Sequence, residues 1–418
     1  MRPAERLDDM DKINAAIIGL GNRGRGILKH VLLNLDIVNV TAVCDVYADR
    51  AEAGRDMVKA KTGVTPFCTT SASEAINRKD VDAVIVTAGW EAHVPLAVES
   101  MKAGKPCGFE VGGAYTIDDC RLLVDTYEKT GVPVMLMENC CYNDEELTVT
   151  AMVRDGLLGR IVHCSGAYAH DLRHEVGYGD INRHYRLRNY IARNCENYPT
   201  HELGPIAKIL DIGRGNRMLS LTSVSSGAYG MHEYASKRPE ISYLESRVFA
   251  QGDIFHTLIK CENGESIMLR LDTTLPRFYS RELSVRGTKG LYDMNAGLVY
   301  IDGEIEKEIW KPSEFTRQYG GNLREKYFDR YLPRLWKEIT PEEKQAGHGG
   351  MDYLIYRDFF RALLSGSELP LDVYDAAAWM SVTCLSEISA AEGRTVEIPD
   401  FTHGLYKTRP RRDVTDLS

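Results

Sequence analysis

No stretch of the 418-residue chain approaches about 18 uninterrupted apolar residues, so the sequence offers no membrane-spanning helix. A surplus of positive charge is also missing. Lys and Arg total 51 against 60 Asp and Glu, a net charge of -9, and no basic field exists to hold a polyphosphate backbone. Membrane and nucleic acid are therefore not expected partners. The C-x-x-C spacing is absent: ten cysteines are scattered from Cys44 to Cys384, with only Cys140 and Cys141 adjacent, a usage that fits a reducing cytosol. The first dozen residues, MRPAERLDDMDK, lack the apolar stretch of an export signal and read as a polar tail, so a cytoplasmic protein is expected.

What is present is ordinary globular composition, 44% hydrophobic and 27% charged, in a chain long enough for two domains. From Ile13 to about Met137, short apolar runs such as NAAIIGL, VNVTAVCDV and VDAVIVTAG alternate with amphipathic stretches. This is the pattern of a doubly wound α/β domain with about six parallel strands. After Cys141, alternating runs with the turn signals ENGE and GTKG indicate an α+β domain on a mostly antiparallel open sheet. The expected division is a polar tail over 1–12, a Rossmann domain over 13–140 and a substrate-binding and oligomerisation domain over 141–418, with C-terminal helices able to pack back on the Rossmann domain. A helix is expected near Leu203–Gly213, and the Arg-rich run NRHYRLRN, which holds Arg186, reads either as a hydrogen-bonding segment or as a solvated face.

Gly19-Leu-Gly21-Asn-Arg-Gly24 follows an apolar strand and opens a helix. Gly19 permits the tight turn, Gly21 lets the backbone approach a pyrophosphate, and Gly24 allows close helix–strand packing, with the helix N-terminus facing the anion. Asp45, at the end of the second strand, is placed to accept the ribose hydroxyls of NAD and to repel the 2′-phosphate of NADP. Thr87–His93 and Glu110–Val111 end later strands and face the same crevice, although Trp90 reads equally as a core aromatic and His93 as a helix cap.

The combination AAIIGLGNRGRG, TAGWEAHVPLAVESMKAGKPCGFEV and a following α+β domain resembles the Gfo/Idh/MocA family of NAD(P)-dependent sugar oxidoreductases. Within it, MENCCY, GAYAHDLR, YRLRN, RNCENYPTHELGP, RGNRM, PRFYSRELSVRGTKG and HGGMDY resemble the NAD-dependent α-N-acetylgalactosaminidases of glycoside hydrolase family 109. The resemblance implies that NAD is held by Asn22 and Arg23, Asp45, the segment Trp90, Glu91, Ala92 and His93, Glu110, Val111 and Asn139. It implies that the sugar meets Tyr168, Arg186, Tyr198, Pro199, Thr200, His201 and Tyr279, with Glu138 and His170 as further active-site positions. Dehydrogenases of the parent family carry Glu-Lys-Pro at the end of the fifth strand, and that lysine helps move the hydroxyl proton. Here Glu110-Val111-Gly112 stands instead, and valine transfers no proton.

Tyr168 and His170 lie two apart on an apparent strand and project from the same face, a phenol beside an imidazole. The alternative is a packing tyrosine and a surface histidine. His201 sits in YPTHELGP, where Pro199 stiffens the approach and Thr200 is expected to cap a helix beginning near Glu202. Arg186 can hydrogen-bond an acetamido oxygen or hydroxyls. His170, Asp171 and His174 would chelate only on a helix, and the stretch reads as strand into loop, so no metal is expected. The resemblance implies a glycosidase that works by transient C3 oxidation, elimination, water addition and re-reduction, with His201 and Tyr168 as proton carriers and Tyr279 as a hydrogen-bonding partner of the sugar. Rival readings are a sugar or polyol dehydrogenase of the same family and a non-catalytic NAD-sensing protein. A homodimer or homotetramer is expected by resemblance.

Overall fold

The computed structural model describes residues 11–304 and 310–418, so residues 1–10 of the expected tail lie outside the described residues. The chain divides into two compact units. One combines Met1–Tyr142 with Ile339–Ala377, the other Asn143–Glu338 with Ala378–Ser418. No helix among the described residues is long and apolar enough to cross a membrane.

The first unit is built on β1 (Ile13–Ile18), β2 (Val38–Cys44), β3 (Phe67–Thr69), β4 (Ala83–Val86), β5 (Cys107–Phe109) and β6 (Val134–Leu136). All pairings are parallel and the order is β3-β2-β1-β4-β5-β6. Every residue of β4, β5 and β6 is buried, as expected of a sheet covered on both faces. The order reverses between β1 and β4, which opens a crevice beyond the carboxyl ends of these strands. The turn after β1, Asp45 after β2, Thr87 after β4 and Glu110 after β5 all lie there.

The second unit carries β7 (Ile161–Ala169), β8 (Met218–Ser225), β9 (Ile254–Cys261), β10 (Ser266–Asp272), β11 (Ser284–Gly287), β12 (Gly290–Asp293), β13 (Leu298–Ile301) and β14 (Val396–Glu397). They form one sheet in the order β13-β12-β11-β7-β10-β9-β8-β14, antiparallel except for the β7–β10 pair. Along β9, buried Phe255, Thr257, Ile259 and Cys261 alternate with exposed residues, so one face packs on a core. ENGE closes the β9–β10 hairpin, with Gly264 at φ +100°.

One alternative is decided and one expectation is corrected. The Arg-rich run is solvated at Asn182, Arg183 and Arg188 but not at Arg186. Residues 173–192 fold into three short helices, Arg173–Gly177, Gly179–Asn182 and Arg186–Ala192, and Arg186, Leu187 and Tyr190 are buried. The next helix spans Thr200–Ile209, so Thr200 lies inside it rather than capping it. Pro199, with φ -70°, occupies the cap position without a side-chain bond. Its fixed φ already suits a helix start, and burial of the whole helix decides the boundary.

Candidate functional site

In the first unit the glycine-rich turn is shaped by three different constraints. Gly19 has φ +98°, and a Cβ there would lie 2.5 Å from the Ala88 amide nitrogen. A Cβ on Gly24 would lie 1.8 Å from the Gly19 carbonyl oxygen, so helix Asn22–His30 approaches the turn as only glycine allows. Gly21, at the helix N-cap, is open: a Cβ there would meet only Arg50 Nη1, at 3.6 Å. That helix has no side-chain cap and no acidic residue in its first turn, whereas Ile117–Thr130 is closed by a Thr116–Asp119 capping box. Its first-turn amides are therefore left for an anion. Asp45 is buried and takes the Leu20 amide at 2.6 Å and the Tyr47 amide at 2.9 Å, one on each oxygen. A carboxylate offers about four acceptor positions, so Asp45 retains capacity for ribose hydroxyls while bracing the turn. These features fit a dinucleotide.

Trp90, Glu91, Ala92 and His93 form the first turn of helix Trp90–Lys102, also without a side-chain cap. Trp90 is buried against Gly112, where a Cβ would meet its ring at 2.4 Å. His93 is buried inside the helix, not at its cap, with Nε2 3.0 Å from the Ala88 carbonyl, and burial lowers its pKa. Val111 is buried beside Glu110.

Arg23 leaves the turn as the hub of a charge network. It bridges both oxygens of Asp352 at 2.6 and 2.9 Å and reaches Glu110 at 2.8 Å. Tyr356 donates to Glu110 at 3.0 Å, and Asn139 donates to Asp352 at 2.7 Å. Burial opposes the charge on Asp352, yet Arg23 and His348 hold its carboxyl well below the usual range. Glu138, fully buried, accepts the Cys140 amide at 3.0 Å. Asp352, Tyr356 and His348 were not expected in the site. The motif HGGMDY carries His348 and Asp352, and Tyr356 follows one helical turn after Asp352, outside it.

The second unit assembles an aromatic and imidazole cluster at the end of β7. The Tyr168 ring lies 4.4 Å from Tyr198 and 5.4 Å from His201, centroid to centroid, and Tyr198 lies 4.7 Å from His201. Gly166 makes this possible, because a Cβ there would lie 2.7 Å from Glu202 Cβ, and helix Thr200–Ile209 could not settle on the strand. His170 stands one residue past the strand, 6.0 Å from Tyr168 and 5.1 Å from Tyr279. Ala167 and Ala169 donate to the carbonyls of Arg281 and Ser280, which lays the Tyr279 segment along the end of β7. Tyr279 is half-exposed and its hydroxyl accepts from Arg281 at 3.0 Å.

Arg186 is buried over the Tyr198 ring at 4.9 Å and pairs with Glu175 at 2.5 Å. Burial works against the Glu175 charge, but Arg186 and His184 lower its pKa. Burial raises the Tyr168 phenol far above its ordinary value, so it stays protonated, and burial with the Arg186 charge lowers the His170 pKa, which keeps that imidazole neutral. The hydroxyl of Thr200 is buried without a hydrogen bond among the described residues. Glu196, two residues before Tyr198, is wholly buried with neither carboxylate oxygen hydrogen-bonded among the described residues, and burial raises its pKa well above the ordinary value. Asp171 engages Arg173 at 2.6 Å.

The second unit thus groups Tyr168, His170, Arg186, Tyr198, Pro199, Thr200, His201 and Tyr279. The first groups the glycine-rich turn, Asp45, Glu110, Glu138 and Asn139 with the Trp90–His93 turn.

Residues 142–408 match the family described as Glycosyl hydrolase 109, C-terminal domain, and residues 13–138 match Oxidoreductase family, NAD-binding Rossmann fold. An alpha-N-acetylgalactosaminidase of Tannerella forsythia is 34% identical over 97% of this chain and 89% of its own length. A glycosyl hydrolase family 109 protein of Stenotrophomonas maltophilia is 37% identical over 95% of this chain and 91% of its own. Among solved structures, a levoglucosan dehydrogenase in complex with NADH and levoglucosan superposes with a TM-score of 0.68 at 16% identity, over 93% of this chain and 100% of that one, a likeness of fold.

Proposed function

As this chain belongs to glycosyl hydrolase family 109 and carries an NAD-binding oxidoreductase domain, we propose that it cleaves a small glycoside by transient oxidation of the sugar at C3, with α-N-acetylgalactosaminides as the first substrate class. The observation that carries this reading is the packing of Tyr168, Tyr198 and His201 around one strand end, beside the buried Arg186. A protein that merely sensed NAD would have no use for clustered proton carriers.

The turn Gly19–Gly24, Asp45 and the Trp90–His93 turn would hold the cofactor. NAD, when bound, supplies a reversible hydride acceptor, the redox step that makes the sugar C–H beside a transient ketone acidic. Tyr168, held protonated by burial, donates to an oxygen of the sugar, and His201 accepts and returns the proton. Arg186, fixed by Glu175, presents charge to an acetamido oxygen or to hydroxyls, and Tyr279 hydrogen-bonds the sugar. No lysine follows Glu110 to assist simple alcohol oxidation, which favours the glycosidase over the sugar dehydrogenase.

Ten free cysteines support a cytoplasmic setting. Exposed Leu258 and Met268, opposite each other on β9 and β10, support association through the open sheet face into a homodimer or homotetramer, which sedimentation would detect. The functional test is release of aglycone from a chromogenic α-N-acetylgalactosaminide. Cleavage without NADH accumulation is expected. NADH accumulation from free sugar without cleavage would make the protein a dehydrogenase.

A further inference from the structure

The segment between Ala346 and Asp352 has an unusual backbone. Gly347, His348, Gly349 and Gly350 take φ of +93°, +44°, +67° and +103° in succession. A histidine in the left-handed region is strained and persists only where its surroundings over-determine it. Here the determinant is Asp352, whose side chain is almost wholly buried. A Cβ on Gly347 would lie 2.5 Å from Asp352 Oδ2, so the strap is wrapped tightly round the carboxylate.

The carboxylate itself is saturated. Oδ2 receives Arg23 Nη1 at 2.6 Å and His348 Nδ1 at 2.8 Å; Oδ1 receives Arg23 Nη2 at 2.9 Å and Asn139 Nδ2 at 2.7 Å. Four donors fill its four acceptor positions, so Asp352 has none left for a ligand. Both terminal nitrogens of Arg23 are likewise committed, to Asp352 and to Glu110. The guanidinium therefore does not swing freely toward a phosphate. It ties the glycine-rich turn to the end of β5 on one side and to the strap on the other.

We propose that the strap Gly347–Asp352 is part of the cofactor site, with Asp352 a positioning residue that acts through Arg23 to hold the glycine-rich turn in its anion-binding shape. The inference rests on the reading of that turn as the NAD site. Asp352 touches no ligand; bidentate pairing fixes the Arg23 side chain, and Arg23 fixes the turn. His348 orients the carboxylate at the expense of its own backbone.

The test measures NAD dissociation constants by titration calorimetry for the wild type, Asp352→Asn, Arg23→Met and the double variant, with thermal midpoints recorded for each. Asp352→Asn is expected to weaken NAD binding tenfold or more, and to leave the KM for glycoside unchanged at saturating NAD. In the Arg23→Met background it should have no further effect on affinity, because its action passes through the arginine. His348→Gly serves where Asp352→Asn fails to fold: it should keep or raise the thermal midpoint, since glycine relieves the left-handed strain, and still weaken NAD several-fold. Asp352→Asn or His348→Gly proteins that bind NAD like the wild type, or single effects that simply add in the double variant, would overturn the proposal. A wild type that binds no NAD would remove the reading beneath it instead.

Discussion

Gly24→Ala is the sharpest probe of the turn, because a methyl group there must displace backbone. The added Cβ would sit 1.8 Å from the Gly19 carbonyl oxygen and 2.6 Å from Thr87 Oγ1. An ordinary carbon–oxygen contact is about 3.4 Å, so helix Asn22–His30 must retreat by about 1.5 Å. Overpacking costs about 1–3 kcal/mol, and the rigid obstacle puts this site at the upper end. For a unit of this size that lowers the thermal midpoint by roughly 6–12 °C. The retreating helix carries its first-turn amides out of hydrogen-bond range of an anion, so NAD affinity should fall. Gly26→Ala is the matched control on the same helix. Its Cβ would meet nothing within 4 Å, and alanine should add about 0.5–1 kcal/mol of stability with NAD affinity unchanged. Calorimetric titration and thermal melts on both variants decide the matter. A Gly24→Ala protein that binds NAD like the wild type, or a Gly26→Ala protein equally damaged, refutes the reasoning.

Three further outcomes follow from the same geometry. Asp45→Ala strands the Leu20 and Tyr47 amides and should weaken NAD binding while relaxing discrimination against NADP, as read from the ratio of the two dissociation constants. His201→Ala should retain NAD at wild-type affinity and lose turnover; full activity in this variant would remove His201 from its assigned role. Glu196 has a raised folded pKa, so the protonated form is the stable one. Its contribution is complete below the unfolded pKa and is lost as pH rises toward the folded value. Glu196→Gln should therefore melt at a higher temperature than the wild type at pH 8, with the gap closing toward pH 5.

The Rossmann architecture was legible because its signals are local. Strand and helix periods alternate within about 30 residues, and the glycine spacing, with Asp45 at the next strand end, is set by a single turn. The Tyr168–His170 pairing was legible for the same reason, since a spacing of two puts both on one face. Arg186 stood open between a sugar contact and a solvated face because its burial depends on Glu175, eleven positions earlier across two short helices that no periodicity announces. Thr200 has the residue type of a cap, but tertiary burial drew the helix start back to include it. The Arg23–Asp352 clamp spans 329 positions, a pairing only the folded chain displays.

The most direct test uses the protein as purified, without added NAD, in deuterated water, and follows the cleavage of α- and β-glycosides by mass and proton spectra. An oxidation–elimination cycle places deuterium at C2 of the released sugar with no net NADH. Cleavage with C2 unlabelled would contradict the account, because a hydrolysis that never acidifies that C–H bond leaves it unexchanged.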